Sequence, residues 1–160
     1  KTQLKVINVI ATSSGADGMV GGQTVDLGSE GKKISYDELK YIHKLKTGAL
    51  IKAACVAGAM LGGANDEEIG KVSEFAENLG IAFQIRDDIL DVTGNTDILG
   101  KPVGSDEKSE KSTYVSLFGL KRAEELCEEY TDNAVSNLLS LGRDTDELEK
   151  LAESMKKRIL

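Results

Sequence analysis

The chain has 160 residues, a formal net charge of −7 and a single histidine. That length bounds one domain with room for a sizeable core, and 40% hydrophobic with 29% charged residues is an ordinary globular balance. The acidic charge, the 4% aromatic content and the lack of any Lys/Arg stripe argue against a nucleic-acid partner.

In chain order, Leu4 to Ser14 carries Leu4, Val6, Ile7, Val9 and Ile10 and reads as the close of a helix. The stretch from Gly15 to Leu27 is rich in small residues, placed for close contact between helices. A polar turn from Gly28 to Lys33 comes next. Ser35 with Glu38 three residues on is a capping box, and it opens a long helix that Gly62-Gly63 ends. The most apolar stretch, Gly48 to Gly63, contains Lys52 and is too short to span a bilayer. Asn65 with Glu68 is a second box of the same kind and starts the next helix. Gly94 to Ser109 is polar and holds the only proline, Pro102, so it reads as a loop. Ser112 to about Leu141 is again helical, with Leu117, Leu120, Ala123, Leu126, Cys127 and Tyr130 at helical spacing. Asp144 with Glu147 caps a last amphipathic helix ending near Arg158. Alternation of period two is nearly absent, so the fold class is all-α. Cys55 and Cys127 match no metal or redox spacing; reduced, structural thiols and a cytoplasmic location are expected. The chain begins at Lys1 in mid-pattern, which points to a piece of something longer.

The chemistry concentrates in Phe83-Gln84-Ile85-Arg86-Asp87-Asp88-Ile89-Leu90-Asp91. On a helix Asp87 and Asp91 stack one turn apart, with Asp88 on the same flank. Carboxylates so placed repel each other, and burying them costs more still unless a cation holds them. Magnesium suits the task, because it takes one or two carboxylates and completes its octahedron with water and phosphate oxygens. A solvated acidic stripe is the bland alternative. Lys46-Thr47-Gly48 lies mid-helix among small residues, where Lys46 offers a point charge to a phosphate and Thr47 a hydroxyl. A snorkelling surface lysine is the alternative there. Gln84 shares the face of Asp87, where its amide meets either a substrate or a neighbouring carboxylate. The polar loop brings Lys101 and Asp106, then Lys111-Ser112-Thr113-Tyr114; a charged linker is the competing reading. No Ser-His or Cys-His arrangement occurs, and His43 is expected at the surface.

Taken together these motifs, with Gly21-Gly22-Gln23-Thr24-Val25-Asp26 before them, resemble the C-terminal half of the trans-isoprenyl diphosphate synthases. The likeness is greatest to the bacterial farnesyl diphosphate synthase (geranyltranstransferase) branch and covers nearly the whole chain. The resemblance implies an isoprenoid-synthase-type helical bundle around a deep cavity, with residues 1–160 as its C-terminal half. It implies Mg²⁺ held through Asp87, Asp88 and Asp91, with Asp106 on the metal side. Lys46, Lys101 and Lys111 match lysines that contact the diphosphate of an allylic substrate. Thr47 and Gln84 match residues near the allylic cation, and Gln23 and Asp26 match positions lining the cavity. The implied reaction joins the allylic diphosphate to isopentenyl diphosphate, giving farnesyl or geranylgeranyl diphosphate. A homodimer is implied as well. The family's first Asp-rich motif and its upstream basic residues are not in this chain, so the N-terminal half is expected elsewhere and the isolated chain inactive. A chain of this length that folds alone is expected to expose a large apolar surface. A Mg²⁺-dependent terpene synthase and a non-catalytic helical subunit of a heteromeric synthase are the competing functions.

Overall fold

The computed structural model describes residues 1–94 and 111–157, so Lys101 and Asp106 lie outside the described residues. The helices run α1 Thr2–Ser14, α2 Met19–Ser29, α3 Tyr36–His43, α4 Ala49–Leu61, α5 Asp66–Thr93, α6 Tyr114–Phe118, α7 Leu120–Leu139 and α8 Asp146–Lys157, with no strand among the described residues. No helix among the described residues is long and apolar enough to cross a membrane.

Both expected capping boxes are present. Ser35 Oγ accepts from Glu38 N while the Glu38 carboxylate accepts from Ser35 N, and Asn65 and Glu68 do the same for α5. Each box satisfies two of the backbone donors that a helix start leaves orphaned. The helix expected from Ser35 to Gly62 is continuous but widens into a π-turn, Lys44–Gly48, between α3 and α4.

Helix α5 is the axis of the bundle. Its 28 residues reach about 42 Å, and it packs against α4, the π-turn, α7 and α8. One core gathers Ile81, Ile85 and Ile89 of α5 with Leu39, Tyr114, Ala123 and Cys127; a second gathers Phe75, Ala76 and Leu79 with Ala134, Leu138, Ala152 and Met155. Two sequence expectations need correction. The helix expected from Ser112 to Leu141 breaks at Gly119, whose φ of 79° lies in the left-handed region that a side chain resists. The last helix starts at Asp146, and it is Thr145, not Asp144, whose carbonyl accepts from Glu149 N and whose hydroxyl meets the Glu149 carboxylate.

Helix α1 buries no residue, and Leu4, Ile7 and Ile10 stand exposed along it. Val20, Val25 and Leu27 of α2 are exposed too.

The small-residue motif has a mechanical purpose. A Cβ added at Gly22 would lie 2.3 Å from Lys46 N and 2.7 Å from Leu45 Cβ. Only a glycine lets α2 run this close to the π-turn. Gly22→Ala is therefore expected to destabilise the fold by about 1–3 kcal/mol, as overpacking does, because backbone rather than a flexible side-chain end must move. Urea denaturation checks this; an unchanged midpoint would mean that the two segments separate at no cost.

Candidate functional site

A cavity of about 100 Å³ opens where α2, the π-turn, α5 and the segment 111–113 meet. Asp26, His43, Lys46, Gln84, Asp87, Asp88, Lys111, Ser112 and Thr113 line it together with a few apolar side chains. Its wall is polar. A larger hollow of about 520 Å³ lies on the outer side of α2 and α3, but its apolar lining holds no such convergence of charge.

Each element delivers its residues for a local reason. Gly22 seats α2 on the π-turn, which places Asp26 Oδ2 2.6 Å from Lys46 Nζ. Lys111 Nζ stands 3.8 Å from the same carboxylate oxygen and 3.5 Å from Glu30 Oε1. Asp87 lies half-buried on α5 at the cavity, while Asp88 is 7% and Asp91 2% exposed. The acidic triplet thus divides. Asp88 Oδ2 accepts from Tyr114 N at 2.7 Å, satisfying a donor that the first turn of α6 leaves orphaned. Asp91 is buried and is not among the residues that line the cavity.

The segment bearing Lys111 is anchored by the start of α6. Tyr114 is fully buried, edge-on to Tyr36 at 5.9 Å between ring centroids and tilted over Phe118 at 6.3 Å. Thr113 and Ser116 form a capping box, and Ser112 Oγ accepts from Ile34 N. The sequence points to this stretch as the motif Lys111-Ser112-Thr113-Tyr114; in the structure the buried Tyr114 ring is what holds it.

Of the residues singled out by sequence, the structure brings Asp26, Lys46, Gln84, Asp87, Asp88 and Lys111 to one cavity. Gln23, Thr47 and Asp91 are not among its lining residues. The pairing of Asp26 with Lys46 is new, since nothing local in the sequence joins positions 20 apart.

His43 also needs correction, for it is only 8% exposed and lines the cavity. Its ring lies 5.6 Å from that of Tyr114, and among the described residues neither His43 Nδ1 nor the Tyr114 hydroxyl has a hydrogen-bond partner. Burial pushes the imidazole pKa down to about 4, against the pull of the Asp26 and Asp87 carboxylates and with Lys46 adding to the depression. Burial likewise raises the Tyr114 phenol, with Tyr36, Tyr130 and Asp88 contributing.

The depressed imidazole makes stability depend on pH with a definite sign. His43 is neutral in the fold, whereas its unfolded value is near 6.5. Between those values the unfolded chain binds more protons, so stability falls as pH drops from about 6.5 towards 4. The loss approaches about 3 kcal/mol at the acid end, at 1.36 kcal/mol for each pKa unit. Thermal melts of His43→Gln between pH 7 and 4 are expected to lose this slope; a variant as acid-sensitive as the parent would place the titration elsewhere.

Can the cavity take a hard divalent cation? Among the described residues no three His, Cys, Asp or Glu side chains cluster as a complete metal cage. Magnesium needs no such cage, since one or two carboxylates with water and phosphate oxygens suffice. Asp87 and Asp88 supply carboxylates at the cavity, and Lys46 and Lys111 line the same cavity and can take an anion. The donor set fits a magnesium–phosphate unit.

The chain is similar to known proteins over most of its length. The polyprenyl synthetase family model matches residues 2–155. Farnesyl diphosphate synthase of Geobacillus stearothermophilus is 46% identical over 123 residues, which are 77% of this chain and 41% of that protein. The Escherichia coli enzyme of the same name is 42% identical over 157 residues, 96% of this chain and 52% of that protein. Geranyltransferase from Helicobacter pylori, solved with magnesium and isoprenyl diphosphate, superposes with a TM-score of 0.81 at 28% identity, covering 96% of this chain and 50% of that one. The chain spans about half the length of these relatives. It belongs to the polyprenyl synthetase family.

Proposed function

We propose that these residues form the diphosphate-binding half of a short-chain prenyltransferase, which joins an allylic diphosphate to isopentenyl diphosphate and yields farnesyl or geranylgeranyl diphosphate. One observation carries the reading: Lys46, Lys111, Asp87 and Asp88 line one polar cavity. The names and ligands of the relatives support it.

Magnesium, when bound, would neutralise the diphosphate and favour its departure. Asp87, Asp88 and Asp91 are proposed to hold it, with Asp106 supporting the metal side. Lys46, Lys101 and Lys111 then hold the leaving diphosphate through charge, which is worth most where water is excluded. Gln84 is proposed to turn its amide oxygen towards the allylic carbocation from the cavity wall, with Thr47 and Gln23 acting from outside the residues that line the polar cavity. The isopentenyl double bond attacks C1 of that cation, and the departing diphosphate is the nearest strong base for the proton released. No side-chain nucleophile is needed. His43, neutral at physiological pH, adds no positive charge beside the cation.

The exposed faces of α1 and α2 suit burial against the remaining half of the bundle and a second copy in a homodimer. Turnover is therefore proposed for the protein that contains both halves, in the cytoplasm, and not for residues 1–160 alone. Radiolabelled isopentenyl diphosphate supplied with geranyl diphosphate and Mg²⁺ tests the reading. A C15 or C20 diphosphate product supports it; a cyclised hydrocarbon, or no condensation by the complete protein, rejects it.

A further inference from the structure

Among the described residues, Asp26 pairs with both lysines that line the cavity. Its carboxylate oxygen lies 2.6 Å from Lys46 Nζ and 3.8 Å from Lys111 Nζ, across three separate chain segments. The Asp26 side chain is only 15% exposed, so the pair with Lys46 is shielded from much of the solvent that would weaken it. A diphosphate seated on Lys46 and Lys111 needs the same ammonium protons, and an aspartate so close repels it. We propose that Asp26 is a specificity-determining internal anion: it keeps Lys46 and Lys111 paired, so that simple anions and metal-free diphosphate bind weakly, and it yields its lysines only to a diphosphate that brings its own divalent cations. Glu30, 3.5 Å from Lys111, works in the same direction from the residue just past the end of α2.

The physics sets the sign. Deleting a positioning residue weakens binding. Deleting a competing anion strengthens it. Asn at position 26 keeps an oxygen for Lys46 but removes the charge, so the two lysines are left with less compensation. Glu restores the charge one methylene further out.

The inference rests on the reading of Lys46 and Lys111 as diphosphate ligands, and the experiment separates the two. The complete natural protein is titrated calorimetrically with inorganic phosphate and with inorganic diphosphate, each with and without excess Mg²⁺. Asp26→Asn is expected to bind metal-free diphosphate and phosphate about three- to tenfold more tightly than the parent, a change of the size expected from losing one partly shielded ion pair. Its gain with Mg²⁺ present should be smaller, and Asp26→Glu should return to parental values. Parental or weaker binding by a folded Asp26→Asn overturns the inference alone. A parent that binds no Mg²⁺–diphosphate overturns the site reading and this inference with it. Should Asp26→Asn not fold, a structure of the unaltered protein with Mg²⁺ and diphosphate decides. Lys46 Nζ then turns from Asp26 to a phosphate oxygen; an intact Lys46–Asp26 pair beside bound diphosphate refutes the proposal.

Discussion

Asp87→Ala in the complete protein is expected to lower kcat/KM for prenyl transfer by about 10²–10³-fold, the scale on which a group stabilising transition-state charge is felt. Its fold should survive. Asp87 is the half-buried member of the triplet and faces the cavity, beside the buried Asp88. Removing one of two adjacent carboxylates also relieves a repulsion of a few tenths of a kcal/mol. The melting temperature should therefore fall far less than in Asp88→Ala while turnover collapses. Asp88→Ala is the informative contrast. It strips Tyr114 N of its acceptor in a buried setting and should lose about 1–3 kcal/mol of stability along with activity. If Asp87→Ala behaves like Asp88→Ala, with a large fall in melting temperature, the acidic helix is structural throughout.

Tyr114 carries the largest expected effect on stability. It is fully buried, belongs to the core cluster with Leu39 and Ile85, and ties the Lys111 segment to α5. Tyr114→Ala is expected to cost about 3–5 kcal/mol, as for other large aromatic truncations. Tyr114→Phe tests the other end of the ring. The hydroxyl is buried without a partner among the described residues, and such a group costs about 1–3 kcal/mol. Phe should thus leave stability equal or raise it. Urea unfolding of the two variants reads both effects. A small loss for Ala would show that the segment is not anchored there, and a large loss for Phe would show that the hydroxyl has a partner.

Much of this fold is legible because its signals are local. Ser35 with Glu38 and Asn65 with Glu68 announce two helix starts from four residues each, and both boxes form. Where several local signals compete, the sequence misleads. Asp144, Thr145 and Asp146 all suit a helix start, and choosing among them depends on where the chain leaves α7. The isolated Gly119 is tolerable inside a helix on composition alone; only the packing of Tyr114 and Phe118 against Tyr36 shows why α6 must end there.

The site divides the same way. Lys46 and Asp87 stand out because their chemistry is odd for their surroundings. Asp26 stands out only through the family resemblance, since its importance lies in a partner 20 residues away. His43 was within reach: Leu39, Ile42 and His43 keep the i, i+3, i+4 spacing of one buried helix face, and all three are buried. A polar residue on that stripe signals a cavity wall as readily as a surface.

Whether this cavity grips a diphosphate through divalent ions is read most simply by phosphorus NMR, with inorganic diphosphate added to the complete protein in the presence and absence of Mg²⁺. Saturable, Mg²⁺-dependent shifts are expected, and they should disappear in Lys46→Ala and Asp87→Ala while both variants stay folded. Shifts that persist in both variants, or that ignore Mg²⁺, would contradict a metal-bridged diphosphate at Lys46 and Asp87.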